Sequence, residues 1–189
     1  RINRMIASGI EMLAGIPSII FGLMGVVILF PITALFNIDG LSILLGSLTM
    51  AVLLFPVIIR SVQEALINVP QAYRLSSLSL GANETQTIFK VVLPSALPGI
   101  ITSVLLSISR IIGESAALIY TMGTFINDSP SLGKGATSLA VQIWSIMGTE
   151  QPNFELAAAI SIIILIVVLI LNISLKLVAS SYRRKLGLN

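Results

Sequence analysis

The chain has 189 residues, of which 56% are hydrophobic and only 10% charged, and its mean hydropathy is +1.02. A soluble domain carries about 25% charged residues, so an ordinary water-soluble fold is excluded and a bilayer is the remaining solvent. The sequence contains no His and no Cys. That excludes Ser-His-Asp and Cys-His nucleophilic centres, zinc sites built on Cys or His, haem ligation by His, and disulfides; no metal site is expected. The net charge of +3 is too small and too dispersed for a nucleic-acid-binding face. The sequence starts at Arg1 without a signal-peptide pattern, so further segments are expected upstream.

A membrane-crossing helix takes about 20 mostly apolar residues. Four stretches satisfy that length, predicting an all-α polytopic bundle. Residues 12–36 carry no charge, and Gly15, Ser18, Gly22 and Gly25 fall on one face of that predicted helix. In lipid such a stripe of small residues marks close helix packing, either inside the chain or against a partner or pathway. Residues 37–40, Asn-Ile-Asp-Gly, form a tight turn into a second uncharged span over 41–59, which ends at Arg60.

The segment 61–93 is more polar and is interrupted at Val69-Pro70 and at Gly81, so it reads as short helices at the membrane face. Asn83 can cap a helix, with Gln86 reaching back three residues later as in a capping box. Ile88, Phe89 and Val92 are expected on one face of it. Gly81 permits a sharp turn before it, and Pro94 is expected to start a new span. The product is a helix-turn-helix projection fixed between two membrane helices, a shape that can transmit motion to both.

A third span over about 97–125 contains Arg110 and Glu114. On a continuous helix, residues four apart share a face, so the two are expected to pair. A charge in the hydrocarbon core must face a partner or an aqueous cavity. The loop 126–155 opens with the turn cluster Asn127-Asp128-Ser129-Pro130-Ser131. Residues 136–147 follow, apolar but too short to span, and read as a surface or re-entrant helix. The fourth span, 156–178, is uncharged up to Lys176, and the Tyr182-Arg183-Arg184-Lys185 cluster beyond it suits a headgroup anchor. Placing both visible ends in the cytoplasm puts Arg1, Arg4, Arg60, Arg74, Lys90, Lys176, Arg183, Arg184 and Lys185 inside and leaves Lys134 outside, in accord with the positive-inside rule.

Gly81 and Leu93-Pro94 are spaced as in the cytoplasmic EAA loop of ABC importer permeases, with Leu75-Ser76-Ser77 at the opening triplet, so that Leu75 stands where that loop has Glu. Other stretches are more specific: Leu13-Ala14-Gly15-Ile16-Pro17-Ser18-Ile19-Ile20-Phe21-Gly22-Leu23-Met24-Gly25, Val69-Pro70-Gln71-Ala72-Tyr73-Arg74, Arg110-Ile111-Ile112-Gly113-Glu114-Ser115-Ala116-Ala117-Leu118 and Leu139-Ala140-Val141-Gln142-Ile143-Trp144. Together they resemble the PstA-type permease subunit of bacterial phosphate importers.

The resemblance implies a single transmembrane permease domain over 1–189, of the MetI-like type I ABC importer fold, corresponding to the C-terminal part of a family with about six spans. It implies a multi-pass inner-membrane subunit working with a second, PstC-type permease, two ATPase subunits and an external phosphate-binding protein. Segment 61–93 would be the ATPase-coupling loop, with Leu75, Ser76, Ser77, Gly81, Ala82, Asn83, Leu93 and Pro94 at its motif positions. Arg110 and Glu114 would line the substrate pathway. No Gly-x-x-x-x-Gly-Lys-Ser/Thr loop occurs, so ATP and Mg are expected on the partner ATPase and no cofactor in this chain. Two alternatives remain at this stage: a permease for another small oxyanion, and a structural membrane subunit. A membrane enzyme is disfavoured, because Glu114 alone cannot serve as both acid and base and the nearby serines have no His or Lys to activate them.

Overall fold

The computed structural model describes residues 2–185, with the side chains of residues 2–4, 6 and 182–185 outside that description. Arg1 lies outside the described residues, and Arg4 and the Tyr182-Arg183-Arg184-Lys185 cluster lie outside the described side chains. Among the described residues the regular structure is helical: α1 (Ile2–Ala14), α2 (Ser18–Ala34), α3 (Ile43–Ile67), α4 (Gln71–Ser79), α5 (Glu84–Gly113), α6 (Ala116–Thr121), α7 (Leu139–Met147) and α8 (Phe154–Lys185). Helices α3, α5 and α8 are each long and apolar enough to cross a bilayer, and α1 with α2 makes a fourth crossing if the bent pair is one span.

The first expected span is not one helix. Between α1 and α2 the axis turns by 100°, because Pro17 has no N–H to continue α1 and biases the residue before it away from helical angles. Pro17 itself is extended, with φ −58° and ψ 140°. Gly15 therefore leaves the small-residue stripe, while Gly22 and Gly25 stay buried on α2. A Cβ on Gly22 would lie 2.9 Å from Ala117 Cα, and one on Gly25 would collide with Thr49 Oγ1. Those two glycines serve packing within the chain, where they let α2 approach α6 and α3 at backbone distance.

Two wide π turns, Gly25–Leu29 and Ile88–Val92, each end two residues before a proline, Pro31 and Pro94. A helical proline crowds the carbonyl four residues back. Those carbonyls belong to Val27 and Lys90, inside the wide turns, where the helix is locally unwound. Pro94 thus does not restart the chain as expected: α5 runs through it and through Pro98. The turn also separates Val92, which is buried, from Ile88 and Phe89, which are exposed, so the predicted shared face does not form.

The main core joins Phe21 of α2, Met50, Leu53 and Leu54 of α3, Ala117 and Leu118 of α6, and Val141 of α7. The buried Thr33, Thr49 and Thr121 hydroxyls donate to the carbonyls of Phe30, Leu45 and Ala117, so they enter this apolar layer without an unmet donor. A smaller cluster of Val69, Val92 and Ala96 holds the connector between α3 and α5 against the bundle.

At the opposite end, the loop after α6 is stitched onto the start of α3. The N–H groups of Ile43 and Leu44 donate to the carbonyls of Lys134 and Leu132 at 3.0 and 2.9 Å, and that of Ser42 to Thr121 at 3.1 Å. The short helix expected within 136–147 forms as α7, capped by Ser138 Oγ, which accepts from Val141 N. It packs on α8, α5 and α6.

Candidate transport pathway and coupling surface

Helices α3 and α5 pack together, and one close approach sets their register: a Cβ on Gly99 would lie 2.9 Å from Ala65 Cβ. At the other end of α3 a Cβ on Gly46 would lie 3.3 Å from Leu118 Cδ2 of α6, beyond the end of α5, so the chain runs back antiparallel to α3. Arg110 stands eleven residues beyond Gly99, about 16 Å along the axis, which brings it level with Leu54. The uncharged run of α3 covers 41–59 and is centred on Met50. Arg110 is therefore about four residues, or 6 Å, from the middle of the apolar layer.

Gly99, Ser103, Ser107 and Arg110 follow one another at i, i+4, i+8 and i+11, along one face of α5. Ser103 and Ser107 donate to the carbonyls one turn back, at 2.9 and 3.0 Å. Their protons are occupied while the oxygens keep acceptor capacity. The face is small and polar, and Arg110 ends it.

The expected pairing of Arg110 with Glu114 is not present. Helix α5 ends at Gly113, and Glu114 is extended with φ −75° and ψ 127°, which turns its side chain away from the helical register. Its Oε1 instead accepts from Ala117 N at 3.5 Å, at the start of α6. Among the described residues the ion pair is Arg60–Glu64, at 3.3 Å on the surface of α3. Arg110 is exposed on the surface of this chain and has no carboxylate at ion-pair distance among the described residues. A third span over 97–125 is accordingly replaced by α5, a break at Glu114-Ser115, and the short α6.

The connector departs from the expected set of short helices in one respect: α3 continues to Ile67 and α5 already begins at Glu84, so α4 alone stands free between them. The capping box forms as predicted, with Asn83 Oδ1 accepting from Gln86 N at 2.8 Å and Asn83 N donating to Gln86 Oε1 at 3.1 Å. Gly81 has φ +87°. The Ser77 and Thr87 hydroxyls are hydrogen-bonded at 2.9 Å, and Arg74 Nη2 donates to the Leu66 carbonyl at 3.1 Å. These bonds tie α4 to both long helices.

Of the motif residues, Leu75, Ser76, Gly81 and Asn83 are exposed at the tip and Ser77 and Ala82 half-buried beside it. Leu93 and Pro94 are half-buried on α5, ten or more residues from Asn83 and about 15 Å along the axis; they belong to the stem. Leu80, 89% exposed, was not singled out from sequence; Phe89 and Tyr73, named there for a packing face and a family stretch, are exposed as well. Their signal is an apolar residue standing among polar neighbours on a segment that cannot span. Leu80 and Tyr73 border a hollow of about 510 Å³ with Ser76, Gln86 and Lys90.

The fold and site thus present a bundle of long apolar helices, an apolar-tipped connector at one end and, in mid-layer, a cation with no carboxylate beside it among the described residues. The chain belongs to the family of binding-protein-dependent transport system inner membrane components, whose model matches residues 1–184. Its three long apolar helices, with the bent α1–α2 pair, accord with an inner-membrane component.

Among curated relatives it is similar to the probable ABC transporter permease protein YqgI of Bacillus subtilis, 33% identical over 159 residues, covering 77% of this chain and 53% of the relative. It is also similar to the PstA homolog of the phosphate transport system of Mycoplasma genitalium, 37% identical over 137 residues, with 71% and 21% covered. Phosphate transport system permease protein PstA 2 of Mycobacterium bovis is 35% identical over 139 residues, with 71% and 44% covered. The chain spans about half the length of the first of these and less of the other two. Among solved structures, an inward-facing MetNI methionine ABC transporter aligns over 96% of this chain and 76% of its own, with TM-score 0.75 and 21% identity. That likeness bears out the expected MetI-like fold.

Proposed function

We propose that this chain is the PstA-type subunit of a phosphate importer and that Arg110 binds the oxyanion in transit. The observation that carries the reading is a guanidinium near the middle of the apolar layer, at the end of a polar stripe, with no carboxylate beside it among the described residues. Such a charge is expensive against lipid and is tolerated beside a water-filled path or a partner. A guanidinium offers planar paired donors that match phosphate oxygens. Glu114, detached from Arg110, holds the start of α6 and keeps the pathway wall in place. The relatives named PstA support phosphate over other small oxyanions.

In this reading the second permease is PstC-type, an external phosphate-binding protein delivers substrate, and two ATPase subunits supply the energy with ATP and Mg bound on them. The ATPase seats on the connector tip around Leu75, Leu80 and Phe89. Both visible chain ends and the connector then lie in the cytoplasm. The test is phosphate uptake by the assembled complex in vesicles. Arg110→Gln is expected to abolish uptake with assembly and basal ATP hydrolysis retained, and Arg110→Lys to restore little. Full uptake by the Gln variant overturns the assignment, and uptake of sulfate in preference to phosphate by the unaltered complex replaces the substrate.

A further inference from the structure

A second polar feature lies away from Arg110. Between α5 and α8 a hollow of about 260 Å³ is lined by Thr102, Leu106, Asn172, Lys176, Ala179 and Ser180, among others. Thr102 is three residues beyond Gly99, so the α3–α5 register sets it level with Val62, within about 3 Å of Arg60 along the axis. Arg60 ends the uncharged run of α3. The hollow therefore opens at the membrane boundary on the connector side, where lipid headgroups begin.

Its chemistry is asymmetric. Lys176 has no carboxylate at ion-pair distance among the described residues. The Thr102 and Ser180 hydroxyls donate to the carbonyls of Pro98 and Leu177 at 2.8 and 2.9 Å, which leaves their oxygens as acceptors. Leu106 gives the hollow an apolar wall toward the membrane interior. Leu106 is 58% exposed, Leu175 lines the hollow beside Lys176, and the membrane-spanning window of α8 is only 6% buried, so the hollow is open at the side and has apolar side chains at its rim.

We propose that this hollow is a binding site for an acidic glycerophospholipid with a hydroxylated headgroup. The ammonium of Lys176 meets the phosphodiester, the Thr102 and Ser180 oxygens accept from the headgroup hydroxyls, and an acyl chain runs along Leu106. Free inorganic phosphate shares the anionic chemistry and lacks the chain, so it would leave the apolar wall uncovered.

The experiment uses the complete complex, reconstituted in vesicles of equal parts phosphatidylglycerol and phosphatidylcholine, extracted mildly and read by native mass spectrometry. Phosphatidylglycerol is expected to be retained selectively. Lys176→Gln should lower its retention about fivefold, the worth of one basic residue at an anionic surface. Ala179→Leu, which fills the hollow and keeps the charge, should lower it as well, and phosphate uptake by that variant reports that the complex is intact. Adding inorganic phosphate should displace nothing. Retention unchanged in both variants, loss only when Arg183, Arg184 and Lys185 are all changed to Gln, displacement by inorganic phosphate, or a protein segment cross-linked to Leu106 in place of lipid would each overturn the site.

Discussion

At Gly81 the backbone has φ +87°, yet a Cβ placed there meets nothing within 4 Å. Any penalty for replacing it is therefore conformational, about 1–2 kcal/mol for a left-handed residue with a Cβ and more for a branched one. Gly81→Val should shift the connector tip and lower substrate-stimulated ATP hydrolysis while membrane insertion is unchanged, and Gly81→Asn, which tolerates this region, should retain most coupling. Equal coupling in the Val and Gly forms would show that the turn does not position the tip. Gly22 is the converse case, with helical geometry and no space. Gly22→Ala places a methyl 2.9 Å from Ala117 Cα and its carbonyl oxygen, atoms of the main chain that cannot rotate aside. We expect a loss of about 1–3 kcal/mol in thermal stability of the purified complex. Gly9→Ala, with nothing within 4 Å on α1, serves as the control and should be neutral or slightly stabilising.

Connector and spans differ in how far the sequence discloses them. The tip was legible because its signals are local: Asn83 and Gln86 sit at capping-box spacing, and a glycine where the chain reverses announces a positive φ. Helices α3 and α8 were legible for the same reason, as unbroken apolar runs longer than a bilayer needs. The breaks were not. A run such as 12–36 keeps its hydropathy through Pro17, so apolar content gave no sign of the 100° turn. At Glu114 the helix stops at Gly113-Glu114-Ser115, three polar or small residues without a proline inside a long apolar stretch, and the tertiary contact of α6 with Gly22 and Gly46 follows the break. Pairing of Arg110 with Glu114 followed from assumed helical continuity and fell with it. The connector also admits a test as an element. If the Ser77–Thr87 bond and the capping box hold α4 to α5, Ser77→Ala and Thr87→Val should each weaken ATPase coupling, and the double variant should weaken it no further than the worse single one. Additive losses would mean that the two hydroxyls act separately.

For the molecule as a whole, the proposed role of Arg110 in transport is set against its cost in stability. Within this chain it faces no carboxylate among the described residues, and it stands about 6 Å from the centre of the apolar run of α3. A charge at the centre of a membrane helix raises the insertion free energy by about 2.5–3.5 kcal/mol. If the guanidinium is retained for a pathway completed by a second permease, then a chain expressed alone gains nothing from it. Arg110→Leu, close in volume to the stem of Arg and fully apolar, should raise the steady-state amount and thermal resistance of the isolated chain in membranes. The same substitution should abolish phosphate uptake by the assembled complex, because nothing else on that face can donate to an oxyanion: Ser103 and Ser107 have committed their protons to the backbone. A structural lock makes the opposite forecast, with the Leu chain less abundant and the complex failing to assemble. Abundance of the isolated chain and uptake by the complex, measured on the same substitution, distinguish the two, since only a pathway residue moves them in opposite directions.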